Sequence, residues 1–256
     1  MCTLVILRRP DNKWPVLIGA NRDEMIGRPA LPPARHWPDR PEVVAGLDQL
    51  AGGSWLGVND WGVAAAILNR HGSLGPAPGQ RSRGELVLEA LDHPDAVAAA
   101  EALSHLDPRA YRTFNLIVAD NRDAFWLRHA DGKTIDAWPI DEGLSLIDSG
   151  ELNRPNNRRV ALATPRFRVA APPDPDRDDW SAWEALLSDN ESPPGELPET
   201  ALRFRTGHDY GTVSSALIAL PQPNAGERKP RFRYAQWQPA ETPWANVSFA
   251  AAKRAR

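Results

Sequence analysis

The chain has one cysteine, Cys2, so no internal disulfide can form and a reducing, cytoplasmic compartment is expected. Its six histidines, His36, His71, His93, His105, His129 and His208, share no metal-ligand spacing with one another or with the cysteine. No metal and no cofactor are expected. No stretch approaches the roughly 20 apolar residues of a membrane span. The opening apolar run reaches Arg8 too soon for a signal peptide and has no basic leader. The glycines match neither GxGxxG nor a phosphate loop, and no internal repeat is visible. A net charge of -3, with Arg and Asp interspersed, argues against a nucleic-acid or membrane surface but leaves room for a small anionic substrate.

What is present suits one large domain. The 256 residues are 42% hydrophobic, enough for a sizeable core, and a single domain over 1–256 is expected, with loop-rich segments near 148–159 and 169–198. The 25 prolines are about twice the ordinary share, and ten tryptophans are many for this length. Long ordered loops packed by aromatic rings would account for both.

The first twenty-four residues carry the chemistry. Thr3-Leu4-Val5-Ile6-Leu7 and Val16-Leu17-Ile18-Gly19-Ala20 are apolar runs around a polar turn, which predicts a hairpin buried on both faces. In an antiparallel hairpin the start of one strand lies beside the end of the next, so Cys2 is expected near Asn21-Arg22-Asp23-Glu24. Removal of Met1, normal before a small second residue, leaves Cys2 with a thiol and a free amine. An α-amine of pKa roughly 7.7–8.0 suits a general base, and a thiol gains nucleophilicity beside a cation such as Arg22. Asp23 is placed to orient the ammonium. A free cysteine is more often a small buried hydrophobe, and a charged tetrad a solvated turn. The coincidence of the sole cysteine with position 2, where nucleophile and base are one residue, favours chemistry.

Farther along, residues 27–41 are rich in Pro and Arg and are expected to be a loop rimming the pocket. Strands are expected at 42–46 and 61–68, with 51–58 a turn leading into another strand between them; the 61–68 strand delivers Asn69 and Arg70, where an amide either stops the strand or donates to an oxyanion. Ser82-Arg83-Gly84-Glu85 has the form of a capping box before one helix, and 92–106 has helical spacing, with Pro94 in its first turn. Strands at 113–120, 124–128, 134–138 and 144–147 form an expected meander. Residues 148–159 are expected to be a loop, solvated or holding an anionic substrate through Arg154, Arg158 and Arg159 among Asn153, Asn156 and Asn157. A linker at 169–177, a short helix behind Asp179, a strand at 210–220, a partner at 231–237 and a frayed basic tail to Arg256 complete the expectation.

Met1-Cys2, Ala20-Asn21-Arg22-Asp23-Glu24, Arg28-Pro29, Gly52-Gly53-Ser54-Trp55-Leu56-Gly57-Val58, Asn69-Arg70, Ser82-Arg83-Gly84-Glu85-Leu86, Phe114-Asn115-Leu116 and Tyr210-Gly211-Thr212-Val213-Ser214-Ser215 follow one another in family order. On these stretches the chain resembles the NRDE, or TANGO2-like, family, itself similar to N-terminal nucleophile (Ntn) hydrolases of the choloylglycine hydrolase and penicillin acylase type. The resemblance implies an α+β fold, a four-layer αββα sandwich of two antiparallel sheets. It implies Cys2 as nucleophile and, through its amine, base, with Arg22 and Asp23 orienting it and Asn69 near the oxyanion. Asn153 is a second candidate amide, and Asn21, Arg70, Asn153 and Arg154 are candidate substrate contacts. The chain departs from the pattern in three places. Arg22 and Asp23 are adjacent, so either the strand has ended by Arg22 or only one of them reaches the thiol. Leu146 follows Gly143-Leu144-Ser145 where the family more often has Asn, and Val213 stands where Arg is common.

Two functions follow. The first is a cysteine amidohydrolase or acyltransferase acting on a small C–N bond of an amide or acyl substrate. The second is a non-catalytic carrier of haem, lipid or acyl-CoA on the same scaffold.

Overall fold

The opening hairpin forms with the expected pairing in this computed structural model, which describes residues 2–154, 158–207, 209–223 and 229–250. β1 (Thr3–Arg8) pairs antiparallel with β2 (Val16–Met25), Thr3 opposite Asn21 and Leu7 opposite Leu17. β2 runs through the whole charged tetrad. Its other neighbour, the strand Tyr210–Leu220, continues the ladder as far as Tyr210 opposite Met25, so the backbone stays paired after β1 has ended.

Next come β3 (Ala30–Ala34), β4 (Val43–Asp48), β5 (Leu56–Asn59), β6 (Ala64–Asn69), α1 (Gly84–Leu91), α2 (Ala96–Ser104), β7 (Phe114–Ala119), β8 (Ala124–His129), β9 (Asp136–Pro139) and β10 (Gly143–Ile147). The chain then forms α3 (Arg158–Val169), α4 (Ser181–Ser188), β11 (Tyr210–Leu220), β12 (Arg231–Gln236) and β13 (Thr242–Asn246). One antiparallel sheet has the order β10-β1-β2-β11-β12-β13, and the other runs β3 to β9 in sequence order.

Period-two alternation sorts each strand's side chains between two layers. Leu4, Ile6, Val16 and Ile18 meet Val44, Leu56, Val58 and Ile117 of the second sheet in a core between the sheets. Val5, Leu17 and Leu217 turn outward onto Val160, Phe167, Trp183 and Leu187 of α3 and α4. On the far side, Val43, Ala65, Leu116 and Val118 pack on Leu86, Val87, Leu91, Ala99 and Leu103 of α1 and α2. The result is the expected αββα sandwich.

Several local expectations are corrected. Residues 27–41 contain an edge strand, β3, which tolerates Pro32 and Pro33 because its outer side needs no partner and its ladder with β4 shifts register between Leu31 and Ala34. β10 does not extend the meander but crosses to pair with β1. Arg158 and Arg159 open a helix, α3, rather than ending a loop, and β13 lies in the segment expected to fray. Ser82 and Glu85 form no reciprocal cap: Ser82 Oγ accepts from Gly84 N, while Glu85 is held by Arg81 and the Tyr111 hydroxyl. Helix α2 starts at Ala96, after Pro94, with the Asp95 side chain accepting from Ala98 N. Met1, Asn156, Asn157, His208 and residues 251–256 lie outside the described residues.

Candidate active site

β2 divides the tetrad between two environments. Asn21 and Asp23 face the α3/α4 layer. The Asn21 amide donates to the Leu187 and Leu202 carbonyls at 3.0 and 2.7 Å, and its oxygen accepts from Ser215 Oγ at 2.5 Å. The buried Asp23 carboxylate receives Arg159 Nη1 at 2.7 Å and Thr212 Oγ1 at 2.8 Å, and Arg159 also donates to Thr3 Oγ1 and to the Glu199 carbonyl. A buried charge needs a close partner and satisfied hydrogen bonds, and this pair has both.

Arg22 and Glu24 point the other way, toward the second sheet, as does Cys2. The Arg22 guanidinium lies 4.1 Å over the Trp55 ring and 4.0 Å from Glu24. Trp55 has room for this because Gly46 lies beneath it: a Cβ there would come within 2.3 Å of the indole. Burial lowers the Arg22 pKa, with Glu24 and the Cys2 thiolate opposing. The half-buried Cys2 sulfur accepts from the Asp23 backbone N–H at 3.4 Å. Burial first and the Asp23 carboxylate second push the Cys2 thiol up, and the Asp23 N–H works against them. The adjacent arginine and aspartate thus approach the cysteine differently, Arg22 from its own face and Asp23 through its main chain and its field.

A cleft of about 720 Å³ opens over Cys2, Arg22 and Glu24 and is bounded by Trp55, Asn69, Arg83 and Arg112. A second, mostly apolar pocket of about 20 Å³, room for one water-sized group, lies between the sheets behind Cys2. Gly53 and Gly84 shape the large cleft by close approach. A Cβ on Gly53 would lie 2.4 Å from the Gly84 carbonyl carbon, and Ser54 N donates to Gly84 O at 2.9 Å. This contact joins the Gly52-Gly53-Ser54 and Ser82-Arg83-Gly84 segments, noted separately in the sequence.

Cys2, Arg22, Asp23 and Asn69 come together on this cleft. Asn69 ends β6, and its side-chain amide has no hydrogen bond among the described residues. The other candidates lie elsewhere. Asn21 spends both amide hydrogens on carbonyls. Arg70 holds Asn115, the Gly150 carbonyl and Glu151, fastening the chain after β10. Asn153, at φ 58°, closes a turn by bonding Ser145 Oγ and Leu146 N, and Asn153 and Arg154 are exposed away from the cleft. Sequence reasoning placed Arg159 at a substrate anion; its carboxylate partner is Asp23. Trp55, Thr212 and Tyr210, whose hydroxyl donates to Asp23 O at 3.3 Å, lie in the family-order stretches of the sequence but carry no site role there. Among the described residues no His/Cys/Asp/Glu group could hold a metal ion, and no helix is long and apolar enough to cross a membrane.

Two antiparallel sheets between helical layers, with Cys2 just before β1, have an Ntn-hydrolase-like fold. A *Caenorhabditis elegans* N-acylethanolamine-hydrolyzing acid amidase ortholog superposes with TM-score 0.60 at 13% identity, covering 88% of this chain and 96% of that one. Conjugated bile acid hydrolase from *Clostridium perfringens* superposes with TM-score 0.52 at 12% identity over 96% and 92% of the two chains. The chain belongs to the Transport and Golgi organisation 2 (TANGO2) family, whose pattern it matches over residues 1–225. It is 35% identical over 119 residues to the Transport and Golgi organization 2 homolog of *Mus musculus* and 36% over 115 residues to that of *Homo sapiens*, each match covering 43% of this chain and 40% of the relative.

Proposed function

We propose that this protein is a cysteine N-terminal nucleophile that hydrolyses or transfers the acyl group of a small amide, Cys2 being unmasked by removal of Met1. The observation that carries the reading is the Cys2 thiol on the cleft, accepting the Asp23 N–H and flanked by buried Arg22. The free α-amine takes the thiol proton, and the sulfur attacks the substrate carbonyl carbon, forming a C–S bond and placing negative charge on the carbonyl oxygen. Asn69, with backbone donors, meets that oxyanion. The ammonium returns the proton to the leaving nitrogen as the C–N bond breaks, and water or an acyl acceptor resolves the thioester. The Arg22 cation and the Cys2 thiolate favour each other, against the burial that pushes the thiol up. Asp23, fixed by Arg159 and Thr212, orients the ammonium from behind. A reducing, cytoplasmic compartment, which would keep the Cys2 thiol free, suits this reading.

The test is acyl trapping with p-nitrophenyl acetate. The account expects an acetyl group on a Cys2 peptide that lacks Met1, with turnover on longer incubation and no adduct in Cys2→Ala. Retained Met1, or no adduct on the wild type, would end the hydrolase reading. The size of the cleft and its exposed apolar residues Met25, Leu50 and Leu74 favour a second reading, a carrier of haem, lipid or acyl-CoA. Ligand that co-purifies equally with Cys2→Ala would support it.

A further inference from the structure

The charges around the cleft do not all cancel. Arg28 pairs with Asp48 at 2.7 Å and lies 3.8 Å from Glu24, Arg81 pairs with Glu85 and Glu89, and Asp23 is held by Arg159. Arg83 and Arg112 have no carboxylate partner among the described residues. Both are anchored on one loop. Arg83 Nη1 donates to Ser73 Oγ at 2.8 Å and Thr113 O at 3.0 Å. Arg112 donates to the carbonyls of Gly72 at 2.7 Å and Leu74 at 2.8 Å. These bonds fix the guanidinium groups without neutralising them, and they leave Arg83 Nε and Nη2, one edge of its donor fork, without partners among the described residues. That edge matches the two oxygens of a carboxylate. The two arginines also feel each other: burial first and Arg112 second push Arg83 down to about 10, while the Cys2 thiolate and Glu24 act against the shift. An anion here would relieve a cost the protein leaves open. Exposed Leu74 lies on the same wall, with Leu50 and Met25 also on the cleft.

We propose that Arg83 and Arg112 form an anion subsite of the Cys2 cleft, so that its ligand is an amphiphile with an oxyanion head, a carboxylate or a sulfate or phosphate ester, on these arginines and an apolar part on Leu50, Leu74 and Met25. As a statement about substrate it rests on the hydrolase reading; as a statement about binding it does not.

The test is calorimetric titration of the full chain with decanoate, decyl sulfate and decanol, alongside the rate at which iodoacetamide alkylates Cys2. Both anions are expected to bind at least ~10-fold more tightly than decanol at low salt, to lose that margin as ionic strength rises, and to protect Cys2 from alkylation. Arg83→Gln and Arg112→Gln should each reduce the margin several-fold, and Arg83→Lys, which keeps the charge but not the fork, should weaken decanoate less than Arg83→Gln does. Thermal unfolding identifies a variant that fails to fold, and Arg112→Gln then carries the comparison. Equal affinity for decanol and decanoate, or an anion margin unchanged in Arg83→Gln and Arg112→Gln, overturns the subsite even if Cys2 reacts. An inert Cys2 with an intact, Arg83-dependent margin overturns the hydrolase reading and leaves the subsite standing.

Discussion

Arg22 and Asp23 are neighbours in one strand, yet they belong to different molecules in the physical sense. Asp23 faces a dry layer where Arg159, Thr212 and Thr3 close a hydrogen-bonded network. Arg22 faces an open cleft, stacked on Trp55 and close to a thiol and a carboxylate. Period-two alternation allows the fold to put a structural ion pair and a reactive environment on opposite sides of one peptide bond. The lesson is that Arg159 and Thr212, which hold Asp23 from the dry side, should answer first to stability measurements, and Cys2, Arg22 and Asn69 to chemistry.

The largest expected effect breaks the dry side. Arg159→Ala strands a buried carboxylate and should lower unfolding free energy by about 3–5 kcal/mol in urea titration; a loss under 1 kcal/mol would mean that Asp23 is not sealed off. On the wet side, Asn69→Ala should slow steady-state turnover of an accepted amide by about 10²–10³, with little change in melting temperature. Arg22→Ala should slow Cys2 alkylation by about tenfold at neutral pH, the cation that favours the thiolate being lost. Cys2→Ala should change stability by less than about 1 kcal/mol while abolishing labelling, because only a single half-buried sulfur atom is removed. The pH dependence separates the two contributions at Cys2. With Met1 retained behind a blocking extension, burial and the Asp23 carboxylate disfavour the thiolate, so alkylation should rise with pH to a midpoint above that of a free thiol. Processing adds a neighbouring ammonium and should move that midpoint down.

How far this division was legible depends on which residues speak locally. The β1–β2 hairpin follows from two apolar runs and a polar turn, and with it the meeting of Cys2 and the tetrad. The length of β2 does not, because Asn21 to Glu24 are poor strand formers held in place by β11, a segment some 190 residues away. Helix α3 is hard to read from the sequence because Pro165 lies inside it and its buried stripe of Arg159, Val160, Ala163 and Phe167 includes an arginine. For the same reason the sequence conceals this partner of Asp23: Arg159 reads as a loop cation, and only the packing of α3 on the sheet turns it toward the carboxylate. Asn153 and Arg70 have the residue types of a substrate site, but their hydrogen bonds serve the turn after β10, which crosses between sheets in a way the short connections concealed. Gly53 and Gly84 were seen as motif glycines; that they touch, and so bring Arg83 to the cleft, is a tertiary fact.

The central claim is that Cys2 is an activated N-terminal nucleophile, and intact and peptide mass after timed iodoacetamide treatment at neutral pH tests it most directly, comparing wild type with Arg22→Ala. The account predicts a chain lacking Met1, labelled quickly at Cys2, and slower by about tenfold in the variant. A retained Met1, or a Cys2 that labels no faster than a buried thiol in either protein, would contradict it.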